Sequence, residues 1–357
     1  MKKNCIKIMI FVIILSLTAV FSQPTQLKTY GYFDLEAEIS NKDAAGERGT
    51  FDQHHFNMIS IYQLDEHFRV FGEIEFEHGA AIEGDSEGKT TGHGEVVVER
   101  VWLEYKHSDL LKAKLGKFLP PFGIYNLKHD ATPTFLPVTL PGSLYGKHEN
   151  TVGGEQRLFA KYATGIQLLG SLFLNEWEAN YFLYVTNGRG PEPDSKDNNS
   201  NKALGGRFAV IHPFLGFNLG TSFYSDVNGN AKNTKQSTLA FDVILEHSNF
   251  SLESEYFFHQ MEEVDIDTVP NGDFRKGTGY YLQGAYTFGD RLTPYVRYDF
   301  SNHNAPISNH GETDVVLGVN YSITSRVYLK GEIHDFSYQS SAKKNYQMFA
   351  TAIAVAF

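Results

Sequence analysis

Leu27-Lys28-Thr29-Tyr30-Gly31-Tyr32-Phe33-Asp34-Leu35-Glu36-Ala37-Glu38-Ile39 is the stretch whose reading decides the fold. Its odd positions, Leu27, Thr29, Gly31, Phe33, Leu35, Ala37 and Ile39, suit an apolar medium, while the even ones, Lys28, Tyr30, Tyr32, Asp34, Glu36 and Glu38, suit water. A period of two belongs to a strand with a different medium on each face; a helix would scatter those carboxylates around its surface. The pattern returns in Phe68 to Glu77, in Phe250 to His259 and in Val327 to His334. No stretch after the N-terminus is long and apolar enough for a membrane helix, so any membrane is crossed by strands, closed into a barrel that leaves no backbone group unpaired in lipid.

Composition agrees. Aromatics reach 14%, with 28 Phe and 20 Tyr beside 32 Gly, a bias toward strands and tight turns. Apolar residues at 41% and charged residues at 20% exclude both a helical membrane protein and a disordered chain. Lys2, Lys3 and Lys7 precede an apolar run from Ile8 to Phe21, shorter than the roughly 20 residues a spanning helix needs, with Val20 and Ser22 placed for cleavage. A signal peptide over 1–22 and an exported barrel over 23–357 are therefore expected. Cys5, the only cysteine, leaves with that leader, so no disulfide and no thiolate metal site remain. With 42 Asp+Glu against 31 Lys+Arg the chain is acidic, and no nucleic-acid partner is expected, because phosphate binding needs a basic face.

Short turns at Asp65 to His67, His107 to Asp109, Asn175 to Glu176, His212 to Gly216, Ser248 to Asn249, Gly289 to Arg291 and Thr324 to Ser325 alternate with longer polar stretches such as Asn41 to Gly49, Gly79 to Glu95, Gly188 to Lys202 and Met261 to Lys276. Short turns on one side and long loops on the other are the asymmetry of an outer-membrane barrel, and the segments between them number about sixteen. The expected fold is thus all-β, a transmembrane antiparallel barrel. At the C-terminus Val355, Ile353, Thr351 and Phe349 alternate with Ala356, Ala354, Ala352 and Ala350, and Phe357 resembles the assembly signal of bacterial outer-membrane proteins. A secreted β-sandwich would share the alternation but needs neither the terminal Phe nor the loop asymmetry.

One connection breaks the rule. Residues 119–163 hold five of the 12 prolines, Pro120, Pro121, Pro133, Pro137 and Pro141, which cannot donate to a ladder. They also hold Phe122, Ile124, Tyr125, Leu127, Phe135, Leu136, Val138 and Leu140, too apolar a set for a tip in water. Loops of this length are usually functional, and shelter for this one lies inside the barrel, where it would narrow the channel.

Lys114-Leu115-Gly116-Lys117-Phe118-Leu119-Pro120-Pro121-Phe122-Gly123, followed by the long loop and then Thr164-Gly165-Ile166-Gln167-Leu168, resembles the bacterial porins of the phosphate-selective porin O and P family. The resemblance implies sixteen strands, a homotrimer, an inward-folded third external loop and passive uptake of small hydrophilic solutes across the outer membrane. It implies outer-membrane lipid and lipopolysaccharide as surroundings. Phosphate preference in that family depends on rows of Arg and Lys, and here the sequence departs from it. Counting parity, the inward wall carries Asp34, Glu36, Glu73, Glu75, Glu253 and Glu255 among many carboxylates, against fewer cations such as Lys112 and Lys114. In and beside the loop Lys117, Lys128, Lys147 and Arg157 form a basic counterpart. These residues are the candidate channel lining, and they lead to an expectation of weak cation preference or near neutrality, fading as salt screens the wall.

No H-E-x-x-H, Walker or G-x-S-x-G motif occurs, so no catalytic residue, cofactor or metal is expected. His54 and His55 are adjacent, and neighbours on a regular strand face opposite ways. Two rivals stay open: a barrel enzyme, and an adhesin with a closed lumen.

Overall fold

Alternation becomes strand because each such segment satisfies its backbone only through its neighbours. The computed structural model describes residues 26–42, 50–78, 96–128, 132–149, 151, 154–188, 196–229, 232–265, 270–304 and 310–357. The expected leader, the whole of Gly79 to Glu95, most of Asn41 to Gly49 and residues 189–195 of the Gly188 to Lys202 loop lie outside them.

The strands are β1 (Gln26–Ser40), β2 (Thr50–Asp52, resuming as His55–Gln63), β3 (Phe68–Glu77), β4 (Val96–Lys106), β5 (Lys112–Phe118), β6 (Ala163–Leu174), β7 (Trp177–Asn187), β8 (Lys202–His212), β9 (Phe217–Asn228), β10 (Thr234–His247), β11 (Phe250–Val264), β12 (Pro270–Tyr286), β13 (Leu292–Asn302), β14 (Gly311–Thr324), β15 (Val327–Tyr338) and β16 (Tyr346–Ala356). Each pairs antiparallel with the next, and β16 returns to β1 with Phe33 opposite Val355 and Ile39 opposite Phe349. The sheet is a closed antiparallel barrel of 16 strands. No helix among the described residues is long and apolar enough to cross a membrane; the strands do so.

The outer face carries exposed Leu35, Ile74, Leu183, Leu204, Leu282, Leu317 and Ile333, whereas Asp34 is fully buried between Phe33 and Leu35. Exposed aromatics gather beside the short turns: Phe173 and Trp177, Phe214, Phe250, Tyr286 and Phe288. Such a belt suits the headgroup level of a bilayer, where an apolar ring meets a wet boundary. Tight turns are made where the backbone turns left-handed, at Asn175 (φ 55°), Ser248 (φ 53°) and Asp290 (φ 59°). One expected loop is mostly strand: within Met261 to Lys276, Met261 pairs with Arg275 and Glu262 with Phe274, extending the β11–β12 ladder. Polar composition suggested a loop there, but the cross-strand ladder overrides it.

Between β5 and β6 the chain leaves the wall. It forms short 3-10 turns at Asn126–Lys128 and Thr132–Thr134, a single helical turn α1 (Gly142–Tyr145), and a small hairpin pairing His148 with Gln156. Most of its apolar side chains are buried, Leu127 being exposed. Phe118, Phe122, Ile124, Tyr125, Phe135, Leu144, Tyr145, Leu158 and Phe159 form one buried cluster with Tyr184, Tyr224, Phe257, Met261 and Tyr281 of the wall. Phe122 stacks on Phe159 at 4.2 Å between centroids, and Tyr125 meets Tyr145 edge-on at 5.6 Å. The alanines of β16 make room on the other side, where Val138 packs on Ala350 and Ala352.

Candidate functional site: the barrel interior and its loop

The loop is fixed to the inner wall by polar groups that proline cannot supply. Ile124 N–H donates to Glu255 Oε1 (2.8 Å) and the Tyr145 hydroxyl to Glu255 Oε2 (2.7 Å), while Tyr281 donates to the same oxygen at 2.9 Å. Glu253 accepts from the Tyr125 hydroxyl and from Gln283 Nε2. Further along, Thr132 Oγ1 donates to Asp34 Oδ2 (2.5 Å), Thr139 N–H to Glu332 Oε2 (2.9 Å) and Ser143 N–H to Asp299 Oδ2 (3.1 Å). In return Arg297 Nη1 donates to the Thr139 carbonyl (2.9 Å), and the buried Lys330 ammonium to the carbonyls of Thr132, Phe135 (2.5 Å) and Pro137 (3.0 Å). A hydrogen bond to a charged group contributes about 1.5–3 kcal/mol, so this set holds the segment against β1, β11, β13 and β15. Gly123 sits at φ +61°, and a Cβ there would overlap Glu255 Oε1 and the Tyr145 hydroxyl, so only glycine fits the approach.

The carboxylates expected to line the wall are on the inner face, but most are engaged. Asp34 accepts from the backbone N–H (2.8 Å) and Nδ1 (2.9 Å) of His55. Glu36 meets His54 Nδ1 at 3.1 Å. Glu73 pairs with Arg100 and, with Glu75, accepts from Asn57 Nδ2 at 3.1 and 3.0 Å. Asp242 is bridged by both terminal nitrogens of Arg207, Glu104 by Arg69 (2.8 Å), and His334 joins Asp314 (2.8 Å) to Glu332 (3.2 Å). Glu253 and Glu255 lie beneath the loop and hold it. The acidic count therefore overstates the field that a passing ion meets.

The basic candidates divide. Lys114 lies inside, its Nζ 4.4 Å from the Trp102 ring centroid and its backbone opposite Glu104, and half-buried Lys112 precedes it on the same face. Lys128 reaches over the Tyr125 ring at 5.3 Å, and exposed Lys147 lines a cavity of about 530 Å³ with His148, Arg275, His303 and Lys343. Arg157 donates to the Tyr145 carbonyl and so stiffens the loop internally. Lys117 is a correction: it pairs with exposed Val101, shares the outer side of β5 with exposed Leu115, and donates to the Val98 carbonyl (2.9 Å). Parity carries it away from the interior. Arg100 is the residue that counting missed. A register shift opposite Glu73 and Ile74 turns it inward, against Glu73 and over the Phe71 ring at 4.7 Å. The second correction concerns His54 and His55, whose rings stack at 3.8 Å because the strand is interrupted between Asp52 and His55. The extra residue in the ladder there suspends the alternation that was expected to separate them.

Outward apolar strands, an aromatic belt and a polar, loop-filled interior define an outer-membrane channel. A model of the Gram-negative porin family matches residues 12–341, and the chain belongs to that family. In fold it is similar to an anion-selective porin from Comamonas acidovorans (14% identity, TM-score 0.64, covering 93% of this chain and 100% of that one). It is likewise similar to the outer-membrane protein OmpT of Vibrio cholerae (13% identity, TM-score 0.62, 94% and 99% covered) and to Salmonella typhi OmpF in complex with daunomycin (14% identity, TM-score 0.59, 93% and 97% covered). No curated protein matches the chain. As a member of the family it is an outer-membrane porin, a channel for passive diffusion.

Proposed function

We propose that residues 119–163 are the constriction of this channel, setting by their placement the size of the small hydrophilic solutes that cross it. The observation that supports this reading is the row of loop-to-wall hydrogen bonds reaching β1, β11, β13 and β15. Excising a segment within Pro120 to Gly146 is expected to enlarge single-channel conductance in a planar bilayer. Conductance unchanged by that deletion would sink the reading.

The same bilayer experiment separates a channel from a barrel enzyme or a closed-lumen adhesin, both of which would conduct little. We read the chain as a channel without catalytic activity, made with a leader over 1–22, working as a homotrimer among lipid and lipopolysaccharide. The trimer is supported by family membership and by an OmpT structure of Vibrio cholerae described in its trimer form. Kinship with the phosphate-selective O and P group rests on the Lys114 to Gly123 stretch. Selectivity near neutrality, without phosphate preference, is supported by the pairing of Asp34, Glu73, Glu104 and Asp242 with His55, Arg100, Arg69 and Arg207.

A further inference from the structure

Three donor atoms converge on the inner wall near the long-loop end of β2 and β3. One nitrogen of His55 and one carboxylate oxygen each from Glu75 and Glu77 lie within 4.8 Å of one another. The first two are held from behind. His55 Nδ1–H donates to Asp34 Oδ2 (2.9 Å), whose carboxylate also accepts from the His55 backbone (2.8 Å) and Thr132 Oγ1 (2.5 Å). With Nδ1 committed to that acceptor, Nε2 is the nitrogen that faces Glu75 Oε1, at 3.5 Å. Glu75 in turn rests its other oxygen on Asn57 Nδ2 (3.0 Å), while the nearby guanidinium of Arg100 is taken by Glu73.

His55 Nε2 and Glu75 Oε1 face each other at the spacing of two donors to one cation, with a Glu77 oxygen beside them. We propose that His55, Glu75 and Glu77 form an inner-wall site for a zinc-class divalent cation. Zinc bonds of about 2.0–2.2 Å to nitrogen and oxygen place two tetrahedral donors roughly 3.4 Å apart, close to the separation of His55 Nε2 and Glu75 Oε1. A histidine that ligates through one nitrogen while its other N–H is held by a carboxylate is the arrangement that orients and strengthens such ligands. The donor set, one imidazole with two carboxylates, favours zinc over calcium or magnesium, which take oxygen alone. His55 and Glu75 are buried and Glu77 is half-buried, so Glu77 is the side from which an ion arrives. Two more imidazoles extend from there: His54 stacks on His55, His78 stacks on His54 at 5.0 Å, and their Nδ1 atoms meet Glu36 (3.1 Å) and Asp52 (2.7 Å).

The test is equilibrium binding of ZnCl2 to the tag-free full chain in detergent, stripped with chelator and followed by titration calorimetry at neutral pH. One saturable zinc per chain is expected. His55→Gln should abolish it, and Glu77→Gln, at the half-buried end of the strand, should weaken it at least about ten-fold. CaCl2 should compete poorly. No saturable uptake, uptake that persists in both variants, or displacement by equimolar calcium would each overturn the site; the first would mean that a proton on His55 fills the gap. No membrane is used, so the result is independent of whether the barrel conducts.

Discussion

Lys330 is almost wholly buried, and its ammonium is shared among three carbonyls of the loop. Lys330→Met would leave those carbonyls facing an apolar group, destabilising the packed loop by about 2–4 kcal/mol. The expected outcome is a noisier channel of larger conductance with the barrel still assembled; a record identical to that of the parent would show that the loop needs no such clasp. Lys114 and Lys117, two positions that look alike in the sequence, should behave differently. Lys114 faces the interior over Trp102, whereas Lys117 shares the outer side with Leu115. Lys114→Gln should move the reversal potential across a salt gradient toward cations, most at low salt, and Lys117→Gln should leave it where it was. Equal shifts in the two variants would contradict the placement of Lys117. The difference between them follows from parity: Lys117 lies three residues beyond inward Lys114, so the count that places Lys114 inside places Lys117 outside with Leu115, opposite exposed Val101.

At the scale of elements, strands were the most legible part of this molecule. Leu27 to Ile39 and Val327 to His334 alternate in sequence without a break, and burial follows the letters through Val327 to His334 and in the middle of β1, where Tyr32 and Asp34 are buried and Leu35 is exposed. Departures occur where one residue too many enters a strand, since a single insertion reverses every face beyond it. Arg100 and the stacked His54–His55 pair are of that kind. The loop was legible as apolar and ordered from its prolines and aromatics, but its partners, residues far away in sequence such as Glu332 opposite Thr139, carried no local signal. Near its far end His148 stacks on His303 at 3.6 Å. Burial pushes the His148 imidazole down to about 4 and carries that of His303, beyond the end of β13, well below its ordinary value, with repulsion from His148 adding to it. Both are neutral when packed, whereas an exposed histidine titrates near 6.5. Their contribution is therefore complete above about pH 6.5 and declines as the pH falls toward 4, because the opened loop takes up protons that the stack refuses. Limited proteolysis of the loop should accelerate across that window, and His148→Phe should flatten the dependence; a rate independent of pH would show that the stack contributes nothing.

For the whole molecule the decisive feature is the seam. Gly31 N–H and Phe357 N–H each donate to the other residue's carbonyl at 2.9 Å, the Phe357 ring packs near Phe56 at 6.0 Å, and a Cβ on Gly31 would overlap that ring and come within 2.7 Å of the Asn57 carbonyl. Phe357→Ser should lower the amount of protein recovered in the outer-membrane fraction, and unchanged recovery would remove any role for that ring in assembly. The seam also sets an order of events. Every other pairing in the barrel joins strands that are neighbours in the chain, but the free edge of β1 waits for β16, at the opposite extreme of sequence separation. The entropy of so long a closure is modest, since each doubling of loop length costs only about 0.6 kcal/mol. Timing is the harder condition: until β16 has been synthesised and delivered, both margins of the sheet are open, and an open margin recruits any other strand it meets. A barrel stitched in this way cannot be finished piecemeal during translation, and whatever escorts it to the membrane must shield two unfinished borders up to the last residue.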